Sequence, residues 1–196
     1  MTALFRRFPV TAFYLLAIIV MHLLVTFSGG SDSLGTLVRW GALVAPYVHR
    51  GEYWRLLTPV FLHGGLLHLF FNGFALYQLG PICEFLFGSF QFAWIFLVCG
   101  IGGSLLSITV HPDVVAVGAS GAIFGLAGLL LSAALKKETR FSTLFRRSLL
   151  QSMGPFVAYN LFLGFAIPGI DNFGHIGGLL TGALLGLAVQ PAVKRR

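Results

Sequence analysis

Residues 10–27 read VTAFYLLAIIVMHLLVTF, eighteen positions without a charged side chain. As a helix rising 1.5 Å per residue, such a run covers about 27 Å, close to the thickness of a bilayer's hydrocarbon core. Backbone groups in lipid must satisfy one another, so the run is expected to cross a membrane as a helix. Arg6 and Arg7 precede it, as they would in a secretory leader. The run is too long for a leader's apolar core, however, and Ser28-Gly29-Gly30 matches a cleavage site poorly. It reads as a first span.

The rest of the chain has the same character. Of 196 residues, 57% are hydrophobic and 10% charged, with a mean hydropathy of +0.88, which places the protein in a bilayer. Further apolar runs at 63–82, 90–109, 119–135, 149–166 and 174–190 bring the expected spans to six. The expected fold is an all-α integral membrane bundle in which residues 1–196 form a single domain. Cys83 and Cys99 are too few for a disulfide framework or metal site and read as packing residues.

The formal charge of +7 sits in short clusters beside apolar runs, a pattern of topology signals that excludes a nucleic-acid partner. With six spans, Arg6, Arg7, Lys136, Lys137, Arg140, Arg146, Arg147, Lys194, Arg195 and Arg196 fall on one face, cytoplasmic by the positive-inside rule, together with both termini. Only Arg39, Arg50 and Arg55 fall on the other, all in a long first outer loop from Ser28 to Leu62. Trp40, Tyr47, Tyr53 and Trp54 suit that loop to the water–lipid interface, where short helices are expected.

Polar side chains are costly inside spans, so the few present are informative. His68 and Asn72 are one turn apart on the second span, Ser120 opens the fourth and His175 opens the sixth. These three spans run in the same direction, so all begin at the outer face and their polar residues share a depth. Each has a plainer reading as well. Gly118-Ala119-Ser120-Gly121 with Gly125 suits a small-residue helix contact, and Gly178, Gly182 and Gly186 suit helix packing. His175 also suits a structural hydrogen bond, and His68 with Asn72 another polar contact. Their shared depth favours function.

The chemistry open to them is nucleophilic. A serine hydroxyl needs a base, and a histidine is the usual one, which casts Ser120 as nucleophile and His175 as general base and acid. The helix start offers the Ser120 backbone N–H to an oxyanion, joined by the Asn72 amide and His68 ring N–H. No carboxylate lies in a predicted span, and Asp171 falls in an outer loop, so the expected unit is a dyad. There is no His-Glu-x-x-His, and His63 and His68, five apart, do not share a helical face, so no metal is expected.

Four strings resemble the rhomboid family of intramembrane serine proteases. Gly118-Ala119-Ser120-Gly121-Ala122-Ile123-Phe124-Gly125 resembles its nucleophile motif, and Gly174-His175-Ile176-Gly177-Gly178 its histidine motif. The stretch from His63 through His68 to Asn72 resembles its second-helix signature, and Trp54-Arg55 its first-loop pair. The resemblance implies a six-helix core, hydrolysis without a cofactor, and transmembrane proteins as substrates. It also implies a mobile gate formed by the fifth helix, around Leu149 to Phe165, and the loop before His175. Some members carry tyrosine four residues after the serine. Here Phe124 stands there and keeps the ring that stacks on the histidine. Gly118, Gly121, Phe124, Trp54 and Arg55 are supporting residues on this reading.

The whole then reads as a minimal bacterial inner-membrane enzyme, surrounded by lipid, whose active site opens outward. A catalytically inactive adaptor or chaperone is expected to lack the serine or histidine, and both are present. A small transporter predicts internal repeats and carboxylates in the spans, and neither is visible.

Overall fold

The structure is a computed structural model that describes residues 6–136, 139 and 141–192. Of the basic residues behind the expected orientation, Lys137, Arg140, Lys194, Arg195 and Arg196 lie outside the described residues. Those described form six long helices: α1 (Pro9–Phe27), α2 (Leu66–Phe87), α3 (Ser89–Val110), α4 (Ser120–Leu135), α5 (Thr143–Ala166) and α6 (Asn172–Ala188). By length and composition α1, α2, α3 and α5 are able to cross a membrane, while α4 and α6 are shorter apolar helices of 16 and 17 residues.

The helices differ from the apolar runs at their ends for identifiable reasons. The second run opens at residue 63, but α2 starts at Leu66, because Gly65 turns the chain at φ +83° with the Asp32 carboxylate where a Cβ would stand. α5 begins at Thr143, in a stretch too polar to register as apolar. Ser142 Oγ caps it by accepting from Phe145 N at 3.2 Å. Arg146 steadies the preceding turn by donating to the carbonyls of Ala134, Lys136 and Thr139 at 3.0, 2.7 and 2.6 Å.

α2 also continues through Pro81 to Phe87, five residues past the predicted end at 82, and so takes in Glu84, which is 3% exposed. A carboxylate therefore does lie inside a bundle helix, contrary to expectation. It is fully engaged. Glu84 accepts from Val10 N and Thr11 N at 3.0 and 2.8 Å, and from Thr11 Oγ1 and Ser89 Oγ, both at 2.7 Å. Phe8, the residue before α1, caps nothing with its side chain, so an acid on α2 caps α1, where the helix dipole favours negative charge.

α4 is the central helix, buried along most of its length. It meets α6 backbone to backbone: Cβ atoms on Gly178 and Gly182 would run into the carbonyls of Gly121 and Gly125, and one on Gly128 into the carbonyl of Leu179. Without a hydrophobic drive between helices in lipid, such close contact is what holds them together. Around this pair lie Phe92, Phe96 and Tyr14, whose ring stacks on Phe96 at 4.5 Å, and the free, buried thiols of Cys83 and Cys99.

Helix polarity collects the site at one end. At the other, Lys136 Nζ donates to Leu187 O at 2.5 Å and Ala192 N to Leu86 O at 2.7 Å, which joins the C-terminal ends of α4, α6 and α2. Their N-terminal ends therefore share the opposite end. The segment leading to it from α1 contains short helices Leu34–Arg39 and Ala45–His49 and 3₁₀ turns Tyr53–Leu56 and Thr58–Phe61. It also holds a ribbon the sequence did not announce: β1 (Leu43–Val44) pairs antiparallel with β2 (Val115–Ala116). Two-residue strands are too short to show a period.

Candidate active site

Ser120 is the first residue of α4, and the approach to it is fixed from several sides. β2 pins the chain at Ala116 opposite Leu43, Gly118 N donates to Pro59 O at 2.9 Å, and Ala119 N donates to the buried Nε2 of His63 at 3.5 Å. Gly118 has φ +124°, open to glycine at little cost. A Cβ there would stand 2.7 Å from His68 Nε2 and 3.7 Å from Ser120 Oγ, so the serine hydroxyl and the His68 ring flank one glycine.

His175 lies in the first turn of α6, 8% exposed. Its ring is parallel to that of Phe124, one turn beyond Ser120 on α4, at 4.3 Å between centroids and 6° between planes. The missing phenol hydroxyl leaves this face-to-face stack intact. Gly121 completes the junction, since a Cβ on it would press to 3.2 Å from Gly174 O. Among the described residues no hydrogen bond joins Ser120 Oγ to the imidazole.

Asp171 does not orient the imidazole: its Oδ1 caps α6 by accepting from Gly174 N at 2.9 Å. That position is taken by Asn172, whose Oδ1 is 3.3 Å from His175 Nδ1. The sequence reading passed over Asn172, though its spacing of three residues from the histidine at a helix start was a legible signal.

Asn72, 5% exposed, donates one amide N–H to His68 O at 2.9 Å, which leaves a second N–H on the same nitrogen. Trp54 and Arg55 are not brought to Ser120. Trp54 is half-exposed under the Arg55 guanidinium, and Arg55 donates to Val38 O and Ala42 O at 2.8 and 3.0 Å and pairs with Glu52 at 2.7 Å. Ala42 precedes β1, so the arginine steadies the loop before Ser120 through the ribbon. A cavity of about 30 Å³, lined in part by Ser104, Gly118, Ser120, Gly121, Asp171 and Gly174, leaves room for water beside the serine.

These features coincide with clear relationships to known proteins. The sequence profile of the Rhomboid domain matches residues 50–192. The chain is 43% identical over 182 residues to Rhomboid protease GluP of Bacillus subtilis (strain 168), covering 91% of this chain and 35% of that protein. It is 42% identical over 168 residues to RHOMBOID-like protein 6, mitochondrial, of Arabidopsis thaliana, covering 84% and 53%. To Putative rhomboid protease YdcA of Bacillus subtilis (strain 168) it is 34% identical over 200 residues, covering 97% and 94%. The chain belongs to the rhomboid family, and with its apolar helices it is a multi-pass membrane protein. It spans about a third of GluP and about half of the Arabidopsis protein.

Proposed function

We propose that this protein is an intramembrane serine endopeptidase that cuts transmembrane protein substrates with a Ser120–His175 dyad. The observation that carries the reading is the parallel stack of His175 on Phe124, which docks the imidazole on the helix that begins with Ser120. The names of GluP and YdcA support the same activity.

In the reaction, Ser120 Oγ bonds to the peptide carbonyl carbon as its proton passes to His175 Nε2. The carbonyl electrons move to oxygen, where the Ser120 backbone N–H, the second Asn72 N–H and the His68 ring N–H donate. Collapse of this intermediate breaks the C–N bond, and His175 returns the proton to the leaving amine. Water, admitted through the cavity beside Ser120, repeats the sequence on the acyl ester and releases the acid. The chemistry calls for neither metal nor cofactor.

The surrounding frame is part of the proposal. Residues 1–196 act as one membrane domain of six spans in a bacterial inner membrane, with α4 and α6 crossing as short helices. Both termini are cytoplasmic, the 28–62 loop lies outside, and the site opens outward. Its partners are lipid and transmembrane substrates. α5 and the loop before His175 form the gate.

Cleavage of a model transmembrane substrate by purified protein in liposomes, together with fluorophosphonate labelling, tests this. Ser120→Ala and His175→Ala are expected to lower cleavage by about 10³-fold or more while the helical circular dichroism is retained. Cleavage by Ser120→Ala would sink the dyad, and an inert natural protein would sink it and favour a membrane adaptor.

A further inference from the structure

Asn172 stands between the imidazole and α5, 4% exposed. Its Nδ2 donates to Leu161 O on α5 at 2.9 Å, and its Oδ1 lies 3.3 Å from His175 Nδ1. A carbonyl only accepts, so Leu161 fixes which end of the amide faces α5 and leaves the oxygen toward the ring. That oxygen also only accepts, so His175 Nδ1 must carry the ring proton and Nε2 the lone pair. A base for a serine hydroxyl needs its lone pair on the nitrogen left free.

We infer that Asn172 is a positioning residue that sets the tautomer and plane of His175, and that α5 holds it there. Gly164 on α5 makes room for the contact, since a Cβ on it would collide with Asn172 Oδ1. The neighbouring carboxylate does not do this work, because Asp171 is committed to Gly174 N. The inference rests on the dyad reading and adds a coupling to it: movement of α5 away from α6 withdraws the Leu161 carbonyl and frees the amide that aligns the base.

The test measures kcat, KM and melting temperature for the natural protein and for Asn172→Ala, Asn172→Asp, Gly164→Ala and the Gly164→Ala/Asn172→Ala pair. Asn172→Ala is expected to lower kcat about 10- to 100-fold with KM held within about twofold. Asn172→Asp keeps an acceptor for Nδ1 but offers no donor to Leu161 O, so it regains only part of kcat while melting no higher than Asn172→Ala. Gly164→Ala, which does not touch His175, is expected to reproduce the kcat of Asn172→Ala, and the pair to be no slower than Asn172→Ala alone. A kcat that tracks melting temperature across the set, additive losses in the pair, or an Asn172→Ala protein as fast as the natural one would overturn the role. Fluorophosphonate labelling separates the two levels. Labelling of Ser120 with unimpaired Asn172→Ala turnover removes this inference alone, whereas an unlabelled, inert natural protein removes the dyad and this role with it.

Discussion

The rings of His175 and Phe124 lie 4.3 Å apart and 6° from parallel, with the phenylalanine one turn beyond Ser120 on the same helix. On the proposed reading, the nucleophile and the platform for its base are thus built on α4, and the base comes from α6. Phe124→Tyr keeps the ring and is expected to stay within about threefold of natural kcat. Phe124→Ala is expected to lose about 3–5 kcal/mol of stability, as a large core truncation does, and to lose turnover at temperatures where it remains folded. Unfolding in detergent and cleavage kinetics on the same samples check both.

Glu84 and Thr11 supply a second relationship, far from the chemistry. With Glu84→Ala, the N–H groups of Val10 and Thr11 lose their acceptor in a buried site. The expected cost is about 3 kcal/mol, with a smaller loss for Glu84→Gln, which keeps one acceptor oxygen. kcat measured below the melting transition should be unchanged, because Glu84 sits at the opposite end of α2 from His68. A kcat loss without a melting shift would contradict this.

Arg55 offers a test of how the loop supports the site. Its guanidinium donates to two carbonyls and pairs with Glu52, and a lysine ammonium cannot reproduce that fork. Arg55→Lys is expected to cost about 1–2 kcal/mol and Arg55→Ala more, by leaving the Ala42 carbonyl unsatisfied. Because Ala42 leads into the strand paired with Val115 and Ala116, hydrogen exchange should quicken in both strands at once. Protection lost in residues 43–44 but kept in 115–116 would show that the ribbon does not transmit the change.

Lipid as solvent made much of this legible. Apolar runs had to become helices, so six runs announced six long helices, and the rarity of polar residues within them drew attention to His68, Asn72, Ser120 and His175. Glycine spacing on α6 announced a close helix contact, because in a membrane only small residues permit one. Polar helix ends were less visible: α5 begins among Thr143, Arg146 and Arg147, where capping rather than hydropathy sets the start.

What tertiary structure alone decided is which polar group meets which. Glu84 caps a helix whose first turn lies 73 residues earlier, and Leu43 finds Ala116, pairings no local pattern encodes. Asp171 and Asn172 are adjacent in sequence and equally polar, yet one caps α6 and the other reaches the imidazole. The difference comes from α5, which presents the Leu161 carbonyl and the empty side of Gly164 to one of them. Residue type and period follow from the solvent each segment must face, whereas hydrogen-bond partners follow from where packed backbones leave donors and acceptors within reach.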